Sequence, residues 1–183
     1  MRQKLILFSL KAKFMGVSLT SPLETGEPCY ALMALSRCAL SVGALKRLLE
    51  LVIEQVSVRE QFGRPLARFQ ALQHTIALVA GEIAAADKAL EGALSYLGSE
   101  RQAEEIAATC ARVFESIGWV ADNAHQLHGA MGFTYEHILH HYTRRLWSWR
   151  EDYGNERYWQ AALGHQLCAR GADQLWPFLA TDR

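Results

Sequence analysis

Along residues 35–56, apolar side chains recur as Leu35, Ala39, Val42, Leu45, Leu49, Val52 and Val56, in unbroken steps of three or four. A strand needs alternation by two, whereas this period places all seven on one face of an α-helix. A helix with so long an apolar stripe must be covered, so its neighbours decide the fold.

The neighbours repeat the period. Phe69, Leu72, Ile76, Val79, Ile83 and Ala86 mark a second helix that closes around Gly98. Ala103, Ile106, Cys110, Val113, Ile117, Val120, Ala124 and Leu127 mark a third that meets Gly129 and Gly132. The first helix should end near Phe62-Gly63, where Gly63 and Pro65 punctuate it. A shorter fourth spans about residues 135–149, and a fifth about 156–179, interrupted by Gly164 and Gly171 and checked by Pro177. Long helices with short connections predict an all-α fold, an up-and-down bundle of four to five long helices. Before Pro28 the pattern fades: "LILF" and "GVSL" read as short strands and "TSPLETGEP" as turns. Residues 28–183 therefore form the helical domain, and residues 1–27 are a remnant of a preceding domain or a disordered segment.

Of the 183 residues, 50% are apolar and 21% charged, enough for a buried core without staples. The 19 basic residues balance the 19 acidic ones with no Lys/Arg block, which leaves nucleic-acid and membrane-surface roles without electrostatic support. "MRQKLILFSLKAKF" mimics a signal peptide, but Lys11 and Lys13 cut its apolar run short. No stretch is long and apolar enough to span a bilayer. Cys29, Cys38, Cys110 and Cys168 form no CxxC pair, so a reduced, cytoplasmic setting is expected.

Two turns could carry chemistry. In "REQFGRPLARFQ", Arg59 and Arg64 can grip an anion, Phe62 offers a ring face and Gly63 permits close backbone approach. In "QLHGAMGF", a helix ends after Gln126 in two glycines whose main-chain N–H groups can approach phosphate or ribose oxygens. Each is equally an ordinary turn or helix cap. His125, His128, His137, His140 and His141 cluster in sequence, with His137 and His141 four apart on one helix face. Without HExxH or paired Glu-x-x-His sequences, they read as surface or interface histidines and no metal is expected. No G-x-S-x-G, GxGxxG or Walker sequence supports a hydrolase or nucleoside triphosphatase.

Together the two turns are more specific. "REQFGRPLARFQALQHTIA", residues 59–77, resembles the signature that opens the second long helix of the C-terminal helical domain of acyl-CoA dehydrogenases. "QLHGAMGFTYEHILHHYTRRLW", residues 126–147, resembles that domain's second signature, at the expected distance. "ALSRCALSVGALKRLLELVIEQVSV" is similar to the preceding helix, and the resemblance covers about residues 28–160. It implies a flavoprotein oxidoreductase that uses flavin adenine dinucleotide (FAD) to turn an acyl-CoA thioester into its 2,3-enoyl form. A carboxylate base takes the α-proton while the β-hydrogen leaves as hydride. It further implies that Arg59 pairs with the dinucleotide pyrophosphate, that Gln61 and Phe62 contact the ADP half, and that Leu66 and Gln70 lie nearby. Gln126, Leu127, Gly129 and Ala130 line the same dinucleotide, typically across a subunit interface. Ala130 departs from the second glycine of many members.

The catalytic base is where the likeness breaks. In register from Gln126, the glutamate of "Y-E-G-T" falls on Tyr153 in "D-Y-G-N", and the alternative base position on the first helix is Met33. A phenol, with a reference pKa of about 10, is a poor acceptor of an α-proton. Asp152 is a weak substitute and Glu151 a weaker one, because in a helix one residue turns the side chain by about 100° and two by about 200°. The tail, "RRLWSWREDYGNERYWQAALGHQLCARGADQLWPFL", resembles members that lack the base and serve as non-catalytic partner subunits in heteromeric enzymes acting on steroid-derived and other bulky acyl-CoA thioesters. The expected role is a flavin-binding and oligomerisation domain without its own base, in a homo- or hetero-oligomer that meets acyl-CoA only when fully assembled. The isolated chain would be inactive, and the alternative is a purely structural helical module.

Overall fold

The computed structural model describes residues 28–180; the short strands expected before Pro28 and the proposed boundary at residue 27 lie outside the described residues. The order is α1 (Pro28–Val58), a hairpin of β1 (Glu60–Gln61) and β2 (Arg64–Pro65), a 3-10 turn (Leu66–Arg68), α2 (Gln70–Ser95) and α3 (Gln102–His128). A second 3-10 turn (Gly129–Phe133), α4 (Leu139–Asp152), α5 (Glu156–Arg170), a third 3-10 turn (Ala172–Gln174) and α6 (Leu175–Ala180) follow.

The middle of the bundle is α3, which packs on α1, α2 and α5. Its Ile106, Val113, Phe114, Ile117 and Val120 are fully buried, as are Thr109 to within 1% and Ser116. A helix surrounded on several sides must bury some polar side chains, and these satisfy themselves on main-chain carbonyls. Thr109 Oγ1 donates to Ala89 O at 2.8 Å and Ser116 Oγ to Arg112 O at 3.0 Å. Small residues such as Ala34, Ala86, Ala93 and Ala107 let the helices approach closely. Cys38 and Cys110, both fully buried, touch across α1 and α3 with Sγ atoms 3.5 Å apart. Burial pushes the Cys110 thiol up, consistent with a thiol used for packing.

Contacts between helices fix their directions. Arg112 pairs with Glu82 and Thr109 with Ala89, so α2 runs antiparallel to α3. His125 meets Thr143 near one end of α3 and Arg170 pairs with Glu104 near the other. Thus α4 and α5, one after the other, descend antiparallel to α3 and together make the fourth column of an up-and-down bundle.

The break in that column is built at Tyr153–Asn155. Gly154 has φ +82°, and a Cβ there would lie 2.5 Å from the Tyr158 ring, so no side chain fits. Asn155 then caps α5, its side chain accepting from Tyr158 N at 3.2 Å. Trp159, fully buried, donates its indole N–H to Tyr153 O at 3.0 Å and stacks on Tyr30 of α1 with centroids 6.1 Å apart.

Three boundaries differ from the sequence reading. The first helix ends at Val58 rather than near Phe62-Gly63, because residues 60–65 pair as a hairpin. The fourth begins at Leu139 rather than about residue 135, since the preceding turn is 3-10 and His137 Nδ1 accepts the Leu139 N–H at 3.1 Å. The fifth stops at Arg170, where Gly171 takes φ +84°, and residues 175–180 form a separate helix.

Candidate functional site

The chain turns sharply after α1. Phe62 and Gly63, with φ +54° and +75°, make the two-residue turn of the hairpin, in which Gln61 pairs with Arg64 and Glu60 with Pro65. A bulky residue in left-handed backbone is strained by about 1–2 kcal/mol. Yet Phe62 is 90% exposed, so the strain is spent on presenting a ring outward. Phe69 meets that ring edge-on at 6.1 Å, and the Arg64 guanidinium lies 4.1 Å over Phe69.

At the hairpin's base, Arg59 reaches across to the far end of α3. Its Nη1 donates to His128 O at 3.1 Å, and a Cβ added to Gly129 would stand 3.6 Å from the same nitrogen. Two turns 69 residues apart in sequence are thereby brought together by one guanidinium. A guanidinium has five N–H donors, and this contact occupies one of them. Gln61, Phe62, Gln70, Gln126 and Ala130 are exposed, while Leu66 is half-buried. Leu127 is different: it is 5% exposed and belongs to the core.

Beneath the second turn sit two histidines that the sequence pattern reads as surface or interface residues. His128 is fully buried, donating from Nδ1 to Ala124 O at 2.7 Å, and its ring packs on His137 at 4.8 Å. His125 is 6% exposed, with Nε2 3.0 Å from Thr143 Oγ1 and its ring between Phe133 and Trp147. Both are core residues because the chain folds back over them: a Cβ on Gly132 would come within 2.9 Å of His128 Cβ and 3.4 Å of His125 Nδ1. Burial lowers the basicity of both rings. Among the described residues, no group of three or more His, Cys, Asp or Glu side chains is placed to hold a metal ion.

These histidines give a prediction. A group whose folded pKa is depressed below its unfolded value of about 6.5 stabilises the fold while it stays neutral. Stability should therefore be level above about pH 7 and fall as pH drops below about 6.5, by up to about 1.4 kcal/mol per pH unit for each histidine. Urea unfolding from about pH 8 to about pH 5 checks this, and stability that does not fall on acidification would count against it.

The second candidate centre lies at the α4–α5 break. Tyr153 is half-buried among aromatic rings, edge-on to Tyr30 at 5.7 Å, with the Arg37 guanidinium 5.7 Å from its centroid. The Tyr30 phenol is raised, mainly by burial and then by Tyr158 and its neighbours, so it stays protonated at neutral pH. Asp152, still helical, is bound by Arg37, Nε to Oδ2 2.9 Å. Glu151 is exposed and accepts from Asn155 at 3.3 Å. Glu156 is tied to Arg150, whose guanidinium holds its carboxyl below the usual range. Met33 accepts a weak contact from Cys29 Sγ at 3.8 Å. Every carboxylate of this break is engaged with another group, and a ring occupies the middle.

The geometry is that of an open, cationic half-site at the C-terminal end of α1 and a closed aromatic cluster against its N-terminal part, on the order of 30 Å away along the helix. The profile of the acyl-CoA dehydrogenase C-terminal domain matches residues 30–175. Acyl-CoA dehydrogenase IpdE2 of Mycobacterium tuberculosis is 34% identical over 113 residues, covering 61% of this chain and 34% of that protein. In the crystal structure of the ChsE4–ChsE5 complex from Mycobacterium tuberculosis, a similar chain superposes with TM-score 0.74 at 25% identity, covering 76% of this chain and 38% of that one. PigA with FAD and proline superposes with TM-score 0.73 at 23% identity, covering 79% of this chain and 38% of that one. The chain thus spans about a third of the length of relatives such as IpdE2. No described helix is long and apolar enough to cross a membrane.

Proposed function

Because this chain belongs to the acyl-CoA dehydrogenase family, whose C-terminal domain it matches over residues 30–175, we propose that it forms one wall of a flavin site in an oligomeric enzyme that desaturates acyl-CoA thioesters, and that the proton-abstracting base comes from another chain. The observation that carries this reading is the Arg59–His128 contact, which joins the hairpin and the glycine turn into one anion-facing surface. Arg59 has N–H donors beyond the one it gives to His128, a planar set suited to two phosphate oxygens at once. Gln61, Phe62 and Gln70 supply exposed amides and a ring beside it, with Leu66 at their base. Across the contact, Gln126 and Ala130 are exposed and Gly129 is half-buried, with Leu127 packed in the core beside them. The residues fit half of an FAD pocket: cation, amides and ring are present on one side.

When bound, FAD supplies the hydride acceptor of the 2,3-oxidation. What this chain supplies is grip and orientation at the dinucleotide end. In the register of the family likeness Tyr153 takes the base position and Met33 the alternative one, and among the described residues Asp152 is held by Arg37, which supports placing the proton acceptor on another chain. A base-lacking subunit beside a catalytic one is the arrangement that uses such a surface, and the ChsE4–ChsE5 complex is a heteromeric precedent in the same fold. Steroid-derived and other bulky acyl-CoA thioesters are the proposed substrate class, from the likeness of the tail.

The test is to purify the full chain alone and together with an acyl-CoA dehydrogenase chain that carries the remaining domains, then to measure released flavin. Flavin should appear in the mixture and not in this chain alone. Its absence from both samples would sink the proposal.

A further inference from the structure

The segment 129–138 covers the far end of α3 while burying little apolar surface of its own. Met131, Phe133, Tyr135 and Ile138 are all exposed, and Gly132 is the buried residue of the 3-10 turn. Such a segment is held by its ends and by what lies beneath it, and a histidine stands at each place. At the start, fully buried His128 donates from Nδ1 to Ala124 O at 2.7 Å, and its Nε2 has no hydrogen-bond partner among the described residues. Beneath Gly132, buried His125 spends Nε2 on Thr143, and the Gly132 main chain beside its Nδ1 falls outside hydrogen-bond geometry. At the end, His137 Nδ1 accepts the N–H of Leu139, the first residue of α4, at 3.1 Å. These arrangements require neutral rings. A proton on His128 puts a charge and a new N–H where no acceptor lies, and a proton on His137 Nδ1 turns the acceptor of the Leu139 N–H into a donor.

We propose that His125, His128 and His137 form an acid-operated latch, whose protonation releases residues 129–138 from the end of α3 while the bundle beneath stays folded. The groups around the latch favour release. His128 faces His137 and His125, with the Arg59 guanidinium held at its own carbonyl, and none of these is negative. His137 faces His128 and, through its carbonyl, the His140 ring. His125 faces His140 of α4 and Asp122 of α3; of these, Asp122 favours a charged ring, and it also feels Arg150. Burial outweighs Asp122, so the His125 and His128 rings are less basic than free imidazoles. Closed, these two rings stay neutral; open, they take up protons near the ordinary value of about 6.5. Opening is therefore indifferent to pH above about 7.5 and grows as pH falls below about 6.5. Release also frees Arg59, whose partner is the His128 carbonyl. On the flavin reading, which this step extends, acid unmakes the dinucleotide wall before it unfolds the chain.

Amide hydrogen exchange of the full chain, followed by NMR and corrected for the intrinsic pH dependence of exchange, tests the latch. Protection at Thr134, Leu139 and His141, whose N–H groups bond within or beside the segment, should fall by about tenfold or more from about pH 7.5 to about pH 5.5. It should also stay well below that of Val113 and Ile117 in the core of α3, the mark of a local opening. Replacing all three residues, His125→Gln, His128→Asn and His137→Asn, leaves an amide near each bonded nitrogen and nothing to titrate. Protection in this triple variant should stay within about twofold over the same range. His74→Gln, on the exposed face of α2, should leave the fall unchanged. Where the triple variant does not fold, the ring signals of the unaltered chain decide: His125 and His128 must titrate in step with the loss of protection. The latch is overturned by protection that is flat with pH, by protection equal to that of the α3 core, by a folded triple variant that keeps the dependence, or by rings that charge while the segment stays protected. Exchange needs no flavin, so failure of the latch is told apart from failure of the flavin reading.

Discussion

Arg59→Ala is expected to cut flavin retention in the assembled enzyme by about 100-fold, while leaving the helical bundle folded. A charge-assisted hydrogen bond contributes about 1.5–3 kcal/mol, and a guanidinium that holds two phosphate oxygens stands to lose about 3 kcal/mol, or two decades of affinity. Within the chain itself, the substitution removes the hydrogen bond to His128 O, an interaction that contributes about 1 kcal/mol. Flavin content and thermal melting, measured on the same sample, separate the two effects. Arg59→Lys keeps the charge without the fork and should fall between. Flavin content unchanged in Arg59→Ala would favour a structural module in which the two signatures no longer bind anything.

The largest loss of stability is expected at Trp159. Replacing it with alanine should cost about 3–5 kcal/mol, the range for truncating a large buried aromatic side chain. Its indole is fully buried, bonded to Tyr153 O and stacked on Tyr30, so one ring fastens α1 to the break between α4 and α5. Removing it also orphans the Tyr153 carbonyl. Trp159→Phe preserves much of the packing and drops the hydrogen bond, so it should cost about 1–2 kcal/mol. The midpoint of urea unfolding reports both, and an alanine variant within about 1 kcal/mol of the parent would show that the cluster does not anchor α1 to the break.

How far the sequence foretold this arrangement depended on the range of the interaction. The apolar stripes of α1, α2 and α3 were legible because helical period is written in neighbouring residues, and the buried Val52, Ile83 and Ile117 fall on them. In the sequence the hairpin of residues 60–65 reads as a plain turn, since Phe62-Gly63 lacks the Asn-Gly or Asp-Gly signal usual for such a hairpin. His125 and His128 read as surface or interface residues because a polar side chain in the last turn of a helix is ordinarily exposed. Their burial follows from the return of residues 129–139 over them, a tertiary event with Gly132 as its one local clue. The Arg59–His128 contact and the capture of Asp152 by Arg37 join distant segments, and no spacing rule could have shown either. The family likeness points to Arg59, Gly129 and Tyr153; the fold supplies the neighbours that give them physical meaning.

The same guanidinium bridge also bears on the order in which the molecule assembles. It ties positions 69 residues apart, with all of α2 and α3 between them. Closing so long a loop costs entropy that is recovered once the α2–α3 hairpin has docked, so the bridge forms late in folding. Conversely, any partial opening that lifts α2 away removes the anion-facing surface while much of the helix content survives. On the proposed flavin reading, holding a dinucleotide would be a stricter mark of complete folding than helicity, and hydrogen exchange is expected to find the Arg59 hairpin among the first parts to be given up.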